Sequence, residues 1–365
     1  MKKFDFNRRD FLKLSGIAIG GAALRPAPSP AQQGDFPESE HLARVAIQGR
    51  VDLKARADID SETVGVLFED SVVPWIREVS GVNPFRYTQR FIETPDGYIW
   101  SPFMQYVQNR PNLEPLTSLP GTGDDRGFWV EVTVPYVDLA IANPPVRTPA
   151  FRNGIPMRLY YEQVIWVDDI RTDDNGEVLY RINERYGTYG DIFWAPARAL
   201  RVVDPEEISP VSPEAEEKRI IIRVRETIQT LSAFEGSREV YFCRVSAGDS
   251  YDADGNFLGY SSTPIGPHPT WRKLVSIHMS GGASGVGWDL TGVAWTTFFA
   301  TPGIAIHGTF WHNFFGGENV SHGCVNVLPK DAKWIFRWTN PEVSYEAGDL
   351  TVPMPGGTIV EIDHG

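Results

Sequence analysis

The chain has 365 residues, a formal net charge of −13, an apolar fraction of 42% and an aromatic fraction of 12%. This length supports two or three domains with separate cores, and the apolar fraction is typical of folded globular protein rather than of a disordered chain. The 34 glycines and 28 prolines favour a mainly β fold over a helical bundle. The acidic balance argues against a nucleic-acid partner, because phosphate binding requires clustered Lys and Arg. It leaves sugars and peptides open as substrates.

In the N-terminal segment, residues 1–31, the charged and apolar regions follow one another in the order found in an export signal. Arg8 and Arg9 directly precede a modestly apolar run, Phe11 to Leu24, which is short for a membrane span. Paired arginines before such a run resemble a twin-arginine signal. We therefore expect an exported protein that acts at the cell wall, on the periplasmic or extracellular side of the cytoplasmic membrane, with no stable membrane span after signal removal. The alternative, an amphipathic basic tail, fits the order of these regions less well.

Residues 42–110 contain short β-type runs separated by turn signals such as Pro95-Asp96-Gly97. The stretch VDLKARADIDSETVGVLFEDSVV resembles bacterial SH3-like wall-associated modules, which implies a small β-barrel. We refer to residues 42–110 as the first module.

A weak internal repeat aligns YIWSPFMQYV with IFWAPARALRVV and pairs Trp100 with Trp194 and Pro102 with Pro196. This repeat predicts two related small β-barrels or one duplicated β unit, and hence a second β module at residues 111–205, for which an SH3-like fold is one option. Chance similarity is the alternative, because the matching stretches are short.

The acidic, proline-punctuated residues 206–216 predict a linker. It is followed by a mostly β domain at residues 217–362. The sequence LPKDAKWIFRW predicts a helix near its end, because Pro329 suits a first turn, Asp331 the positive N-terminal end and Arg337 a later turn. Four apolar residues form the predicted buried stripe of this helix: Ala332, Ile335, Phe336 and Trp338.

The two cysteines occupy different settings. Cys243 lies in the alternating apolar run EVYFCRVSAG, which predicts a buried strand where a lone cysteine behaves as a small hydrophobic residue. Cys324 lies among glycine and histidine instead. We favour two free thiols with different roles, and a disulfide between them is the alternative for an exported protein.

The stretch IHGTFWHNFFGGENVSHGCVNV contains three of the chain's seven histidines as well as Cys324. If GIAIHG is a strand, Ile304 and Ile306 face one side and His307 faces the other. In GCVNV the two valines share one face, and Cys324 and Asn326 share the opposite face. The pattern predicts that the apolar faces anchor two short strands and that the polar faces meet.

A cysteine near a helix N-terminus is expected to be reactive. Gly323 frees backbone N–H groups around Cys324, and the positive potential there, together with a neighbouring imidazole, favours the thiolate. A thiolate with a general base can perform acyl transfer through a thioester. The backbone amides of Gly323 and Cys324 are candidate donors to the oxyanion of the tetrahedral intermediate.

The order His307-Gly308, a spacer that ends at Val320, and then Ser321-His322-Gly323-Cys324-Val325-Asn326 resembles the signature of the L,D-transpeptidases, which have a YkuD-like catalytic domain. The stretches SAGDS, SSTPIG and PKDAKWIFRW resemble the strand end, turn and helix that flank this signature. The resemblance covers residues 217–362. It implies a β-sandwich with a short helix after the cysteine motif, preceded in this chain by the SH3-like small β-barrel region.

The resemblance also implies roles for individual residues. Cys324 is the expected nucleophile, His307 the general base and acid, Gly308 the residue whose carbonyl orients His307, and Gly323 part of the oxyanion region. Five residues are expected at the substrate-binding surface, the first three from the motif and the last two from the loop before it: Ser321, His322, Asn326, Trp311 and His312. We expect His312 to serve loop structure or to contact substrate at the rim of the site, rather than to take part in the chemistry.

Members of this family attack the carbonyl of the diamino acid at position three of a peptidoglycan stem tetrapeptide and release the terminal D-alanine. Transfer to a side-chain amine of a second stem gives a 3→3 cross-link. The resemblance implies that stem peptides are the partners, that carbapenem-type inhibitors acylate Cys324, and that no cofactor or metal is required. With water as acceptor the enzyme is an L,D-carboxypeptidase or amidase, and a further alternative is an inactive cell-wall-binding protein.

Some residues of this region allow other roles. A zinc site formed by the histidines and Cys324 is conceivable, but no familiar ligand spacing supports it. His278 is expected to serve local structure or the rim. Most aromatic residues of this region are expected in the core, and one or more of three are expected to wall a peptide groove: Trp295, Trp311 and Phe315.

Overall fold

The computed structural model describes six ranges of the chain: 36–120, 126–225, 228–248, 262–281, 288–318 and 320–363. The predicted export signal, residues 1–31, lies outside them. The described residues are strand-rich, which confirms the prediction of a mainly β protein. None of the helices in these ranges has the length and apolar character needed to cross a membrane.

The first module consists of two antiparallel sheets around a small apolar core. Its sheets have the strand orders β4-β1-β8 and β3-β2-β7-β6-β5. Ala43, Val51 and Ile99 are among the buried residues of this core. The strands are β1 (Leu42–Val45), β2 (Arg50–Lys54), β3 (Thr63–Phe68), β4 (Val72–Pro74), β5 (Arg77–Ser80), β6 (Arg90–Thr94), β7 (Gly97–Trp100) and β8 (Met104–Val107).

The second module is a six-stranded sheet with a two-stranded ribbon. Their orders are β11-β15-β14-β13-β9-β16 and β10-β12. A separate core forms here, around Phe128, Tyr180 and Phe193. The elements are β9 (Phe128–Val132), β10 (Tyr136–Asp138), β11 (Ala140–Ile141), the helical turn α1 (Pro149–Arg152), β12 (Arg158–Tyr160), β13 (Val164–Thr172), β14 (Val178–Asn183), β15 (Ile192–Pro196) and β16 (Leu200–Val202).

The weak sequence repeat corresponds to a shared local structure. In the first module β7 leads through a 3-10 turn, Ser101–Phe103, into β8, which pairs with β1. In the second module β15 leads through Ala197–Ala199 into β16, which pairs with β9. In both modules the last strand therefore returns to the first. The SH3-like character of these modules stays a prediction.

The predicted linker, residues 206–216, does not run free of the domains that it joins. A 3-10 turn, Pro205–Glu207, opens it, and Glu207 accepts hydrogen bonds from Arg201 and Lys333. Ile208 is buried in the core of the C-terminal domain. The connection is thus packed against the domain that follows it.

The C-terminal domain is built from two five-stranded sheets, with the orders β19-β18-β17-β26-β20 and β24-β23-β22-β21-β25. Each sheet contains one parallel pair, β17 with β26 and β23 with β24. The strands are β17 (Lys218–Arg225), β18 (Ile228–Glu235), β19 (Arg238–Arg244), β20 (Gly266–Pro269), β21 (Arg272–Gly281), β22 (Trp288–Ala300), β23 (Ile304–Gly308), β24 (Val325–Val327), β25 (Asp349–Thr351) and β26 (Ile359–Asp363).

Both sheets contribute buried residues to one continuous core, for example Ile220 from β17 and Ile306 from β23. The helix α2 (Pro329–Trp338) follows the cysteine motif and adds its predicted stripe, including Ile335 and Phe336, to this core. Leucine, isoleucine and aromatic side chains removed from water in this way are the main stabilising contribution. This arrangement confirms the predicted β-sandwich with a short helix after the cysteine motif.

His278 lies at the junction between the second module and the C-terminal domain. Its fully buried ring has Nδ1 2.7 Å from Glu184 Oε2 and donates from Nε2 to Asp289. Both carboxylates also accept backbone N–H groups, from Gly292 and Ala150, at 2.9 Å. Burial lowers the pKa of His278, but the hydrogen bonds and charges of the two carboxylates outweigh burial and raise it above its usual value.

Replacing His278 with Gln is expected to destabilise the protein by about 3 kcal/mol at pH 6, because the buried carboxylate of Glu184 and the half-buried carboxylate of Asp289 lose their shared cation. The pKa is higher in the folded than in the unfolded state. The stabilisation is therefore fully present below the unfolded pKa of about 6.5 and is lost as the pH rises through the folded pKa. The midpoint of thermal unfolding should fall more at pH 6 than at pH 9.

His268→Gln is the matched control, because the half-buried His268 ring contacts the carbonyl of Ile265 at 3.1 Å and the Phe299 ring at a centroid separation of 6.1 Å, rather than a pair of carboxylates. An effect of His278→Gln that did not change with pH would contradict the charged bridge.

Candidate active site

The strands β23 and β24 bring the two halves of the motif together. They run parallel, and their register pairs Ile306 with Val325 and His307 with Asn326. The register thus places His307 beside Asn326, two positions after Cys324. That the side chains of His307 and Cys324 meet stays a prediction.

The His307 imidazole is buried and fixed in orientation. Its Nδ1 lies 3.2 Å from the carbonyl oxygen of Gly308. Because a carbonyl only accepts, Nδ1 carries the proton, and the lone pair of Nε2 is left for a substrate or nucleophile. Burial lowers the pKa of His307 to about 4, although the bond to Gly308 raises it. The ring is therefore a neutral base at pH 7.

Cys324 is half-buried and its sulfur lies 3.7 Å from the carbonyl oxygen of Gly303. Burial raises the pKa of its thiol to about 11, although a hydrogen bond from the backbone of Ala305 lowers it. The expectation of a resting thiolate is therefore wrong. The cause is desolvation, which disfavours the anion, and a neutral His307 brings no positive charge to offset it. The proton must leave when the sulfur attacks.

The turn before Cys324 requires glycine. Gly323 has φ +108°, a left-handed conformation, and a Cβ there would lie 3.2 Å from the carbonyl oxygen of Ser262. The carbonyl of Gly323 accepts a hydrogen bond from Thr263 Oγ1 at 2.9 Å, and the same hydroxyl accepts from Gly248 N at 2.9 Å. Thr263 thus supports the nucleophile turn, a role that its place in the SSTPIG stretch alone did not reveal.

Asn326 joins the cysteine motif to the strand end before the loop. Its backbone exchanges hydrogen bonds with Ser246 in both directions, at 2.8 and 2.9 Å. Ser246 Oγ in turn donates to the carbonyl of Glu318 at 2.6 Å. Nearby, Ser321 N donates to the carbonyl of Ala247 at 3.3 Å. The SAGDS strand end therefore braces the motif from one side.

His312 is buried, which favours loop structure over a contact at an exposed rim among the two roles expected for it. Its Nδ1 accepts the Phe314 N–H at 3.2 Å, which leaves the proton on Nε2, 2.9 Å from the side-chain amide of Asn326. The Asn326 oxygen is therefore assigned to face His312, since amide oxygen and nitrogen are distinguished by their partners. Burial lowers the pKa of His312 to about 3. The ring folds inward because the chain leaves β23 after Gly308.

The remaining predicted site residues take different positions. The Trp311 ring is half-buried, with its centroid 5.7 Å from that of His307, and His322 is exposed, 4.5 Å from Trp288 by ring centroids. Trp295 and Phe315 are core residues, with 1% and 4% exposure. Of the three aromatic residues considered for a peptide groove, Trp311 is therefore the one placed beside His307.

The two cysteines are both free thiols. Cys243 is buried on β19, and burial raises the pKa of its thiol far above the usual range, so it is unreactive. Within the described ranges, no group of three or more His, Cys, Asp or Glu side chains is arranged to hold a metal ion.

Comparisons with known proteins agree with the motif. Residues 217–362 match the family model of the YkuD L,D-transpeptidase catalytic domain. The chain is 25% identical to L,D-transpeptidase 2 of Mycobacterium tuberculosis over 295 residues, which cover 74% of this chain and 70% of that protein.

Similar solved structures have low TM-scores. The L,D-transpeptidase of Xylanimonas cellulosilytica has 23% identity and a TM-score of 0.25, over 40% of this chain and 61% of that one. The catalytic domain of the E. faecium enzyme has 20% identity and a TM-score of 0.29, over 40% and 98%. LdtMt1 in complex with imipenem has 17% identity and a TM-score of 0.29, over 68% and 100%. The likeness therefore rests on the family model and the sequence relative: residues 217–362 match the L,D-transpeptidase catalytic domain of the YkuD family.

Proposed function

We propose that the protein is an exported cysteine L,D-transpeptidase that forms 3→3 cross-links between peptidoglycan stem peptides. One observation carries this proposal most directly. His307 is held by the Gly308 carbonyl as a neutral base, in register beside the strand that follows Cys324. A neutral base with a free Nε2, and a thiol one residue before the neighbouring strand, are the parts needed for covalent acyl transfer.

In the acylation step, His307 Nε2 takes the proton of Cys324 as the sulfur attacks the carbonyl of the residue at position three of a donor stem. Backbone amides at Gly323 and Cys324 are the proposed donors to the oxyanion. When the tetrahedral intermediate collapses, the imidazolium returns the proton to the leaving amine. D-Alanine departs and a thioester remains on Cys324.

In the transfer step, the side-chain amine of a second stem attacks the thioester. His307 accepts the proton lost by that amine and returns a proton to the departing sulfur, so Cys324 is again a neutral thiol. The charges that appear during each step are short-lived, and a neutral resting pair suits a desolvated site in which separated charges are unfavourable. Ser321, His322 and Trp311 are the proposed contacts for the stem peptide, and Asn326 and His312 support the loop beneath it.

The same chemistry should act on a carbapenem. The strained ring amide of such an inhibitor offers a carbonyl to Cys324, and acylation opens the ring to give a thioester that has no equivalent leaving amine. Imipenem is bound in the LdtMt1 structure, and we propose the same reaction for this protein.

Export and wall contact complete the proposal. The Arg8-Arg9 segment is the proposed twin-arginine signal, and the two β modules are proposed to lie at the wall with the catalytic domain. The second candidate function is L,D-carboxypeptidase activity, in which water replaces the acceptor amine. An inactive wall-binding protein is disfavoured because both Cys324 and His307 are in place.

Incubation of the protein with a disaccharide-tetrapeptide, followed by mass spectrometry, tests the proposal. Cross-linked dimer with loss of one D-alanine is the expected product. If tripeptide is the only product, the activity is hydrolysis rather than transfer. If the tetrapeptide is unchanged under conditions in which the protein is folded, the enzymatic proposal is overturned.

A further inference from the structure

Residues 309–318, which we call the active-site loop, connect His307 to the cysteine motif and carry Trp311 and His312. The first module contacts the backbone of this loop directly. Arg44 on β1, only 2% exposed, donates from Nη2 to the carbonyl of Phe310 at 2.8 Å. The carbonyl of Pro102 accepts a hydrogen bond from Asn313 N at 2.9 Å.

Arg44 is itself rigidly held, so its contact with the loop has a fixed direction. Its Nε and Nη2 donate to Gln105 Oε1 at 3.1 and 2.8 Å, and its Nη1 pairs with Asp70 at 2.7 Å. The guanidinium also lies 4.0 Å from the ring of Tyr160 of the second module, which stacks on Phe310 with a ring separation of 5.4 Å. A buried charge with several partners in one geometry favours a single conformation of what it contacts.

The far end of the loop is held by the same module. Glu318 is 8% exposed. Its carboxylate accepts hydrogen bonds from Tyr87 N at 3.1 Å and Arg86 Nη1 at 3.4 Å. Arg90 Nη2 lies 3.4 Å from the carbonyl oxygens of both Asn313 and Phe315.

Between the polar contacts near Phe310 and those near Glu318, the loop also makes an aromatic contact with the first module. The ring of Phe314 packs edge-on against Trp100 and Phe103 of the first module, with centroid separations of 5.5 and 6.0 Å. Aromatic pairs at such distances and angles are favourable beyond the area that they bury. The loop is thus contacted by the first module from Phe310 to Glu318.

The residues held by these contacts lie next to His307 and Asn326, or are connected to Asn326 by hydrogen bonds. The loop places Trp311 beside His307 and His312 beside Asn326. The carbonyl of Glu318 is bound by Ser246, whose backbone is paired with Asn326.

We propose that the first module is a positioning element of the active site, with Arg44, Arg86 and Arg90 as positioning residues that hold the loop over His307. This inference rests on the proposed function. It assigns the module a role within catalysis that is independent of any binding to the wall. By keeping the loop closed, the module also keeps His307 desolvated, and desolvation is what makes the ring a neutral base.

The test compares two double variants with the same change in charge. Arg86→Ala with Arg90→Ala removes loop contacts from the module side without altering the loop. Arg50→Ala with Arg77→Ala is the control, because these side chains are 60% and 69% exposed and pair with Asp52 and Glu93, away from the loop. The rate of Cys324 acylation by a carbapenem is followed by intact mass as a function of pH, and thermal midpoints verify folding.

We expect the loop variant to be acylated on the order of tenfold more slowly at pH 7, while the control keeps the wild-type rate. In the loop variant, the pH below which acylation declines should also rise, from about 4 toward the ordinary histidine range. The reason is that water entering beneath the loosened loop raises the pKa of His307. If Arg86 and Arg90 had a merely structural role, the pH at which acylation declines would not change. Arg86→Lys with Arg90→Lys, which keeps both charges, should recover most of the rate.

Suppose that the wild-type protein reacts, and that the loop variant and the control have equal acylation rates that decline at the same acidic pH. This result would overturn the positioning role. Absence of acylation in the wild-type protein would overturn the proposed function and, with it, this inference. The two failures are therefore distinguishable.

Discussion

Replacing Cys324 with Ala is expected to abolish cross-linking, with a loss of turnover on the order of 10⁴-fold or more. In the proposed mechanism this thiol carries the acyl chain between donor and acceptor, and no other described cysteine can replace it. Cys243 is buried on β19 with its pKa raised by burial. Dimer formation from disaccharide-tetrapeptide, measured by mass spectrometry, is the readout.

Cys243→Ala is the matched control, because it removes the other thiol and is expected to leave turnover unchanged. Cys324→Ser refines the result, since it keeps the size of the side chain and replaces the sulfur with a much weaker nucleophile. Turnover that survived in Cys324→Ala would sink the thioester mechanism, whatever the control showed.

Replacing His307 with Gln is expected to lower the acylation rate at pH 7 by about 10³-fold, within the usual range for removal of a general base. Because the pKa of the Cys324 thiol is raised to about 11, almost no thiolate exists at pH 7 without help. In the variant the rate should therefore rise about tenfold per pH unit until the pH approaches 11.

The wild-type enzyme should behave differently. His307 must be unprotonated to act as a base, and its pKa is lowered to about 4. Acylation should therefore fall only as the pH drops toward 4 and should be nearly flat across the neutral range. His268→Gln, a change at a half-buried imidazole on β20, serves as the control. A wild-type rate that climbed steadily with pH, as the variant is expected to do, would show that thiolate is formed without His307.

Local patterns in the sequence predicted the parts of the site that depend on strand alternation and turn chemistry. Alternation placed His307 and Asn326 on matching faces, and their register in the parallel pair agrees with this. The helix Pro329–Trp338 was predicted from a proline and an acidic residue in its first turn and a basic residue in its last turn. These features are local, because period and capping depend only on residues a few positions apart.

The environment of the site could not be predicted in the same way. Whether Cys324 is a thiolate depends on how much water the folded protein excludes, and that is decided by residues far away in sequence. The same holds for His312, which is buried because Asn326 and Phe314 satisfy its ring nitrogens. Sequence reasoning also missed Arg44, whose contact with Phe310 spans 266 positions, and no local pattern signals such a pairing.

The division of the chain illustrates the same limit. Composition marked residues 206–216 as a linker, but Arg337 donates to the carbonyl of Ser209 at 2.8 Å and ties this stretch to α2. Acidic and proline-rich sequence predicts an exposed stretch without revealing what it packs against. Likewise, a wall-module resemblance gave no indication that the first module contacts the active-site loop.

Intact-mass spectrometry of the protein after exposure to a carbapenem tests most directly whether Cys324 is the nucleophile. We expect one covalent adduct with the full mass of the inhibitor, mapped by peptide analysis to Cys324 and absent from Cys324→Ala. Wild-type protein of unchanged mass after prolonged exposure, or an adduct that persists in Cys324→Ala, would contradict that role.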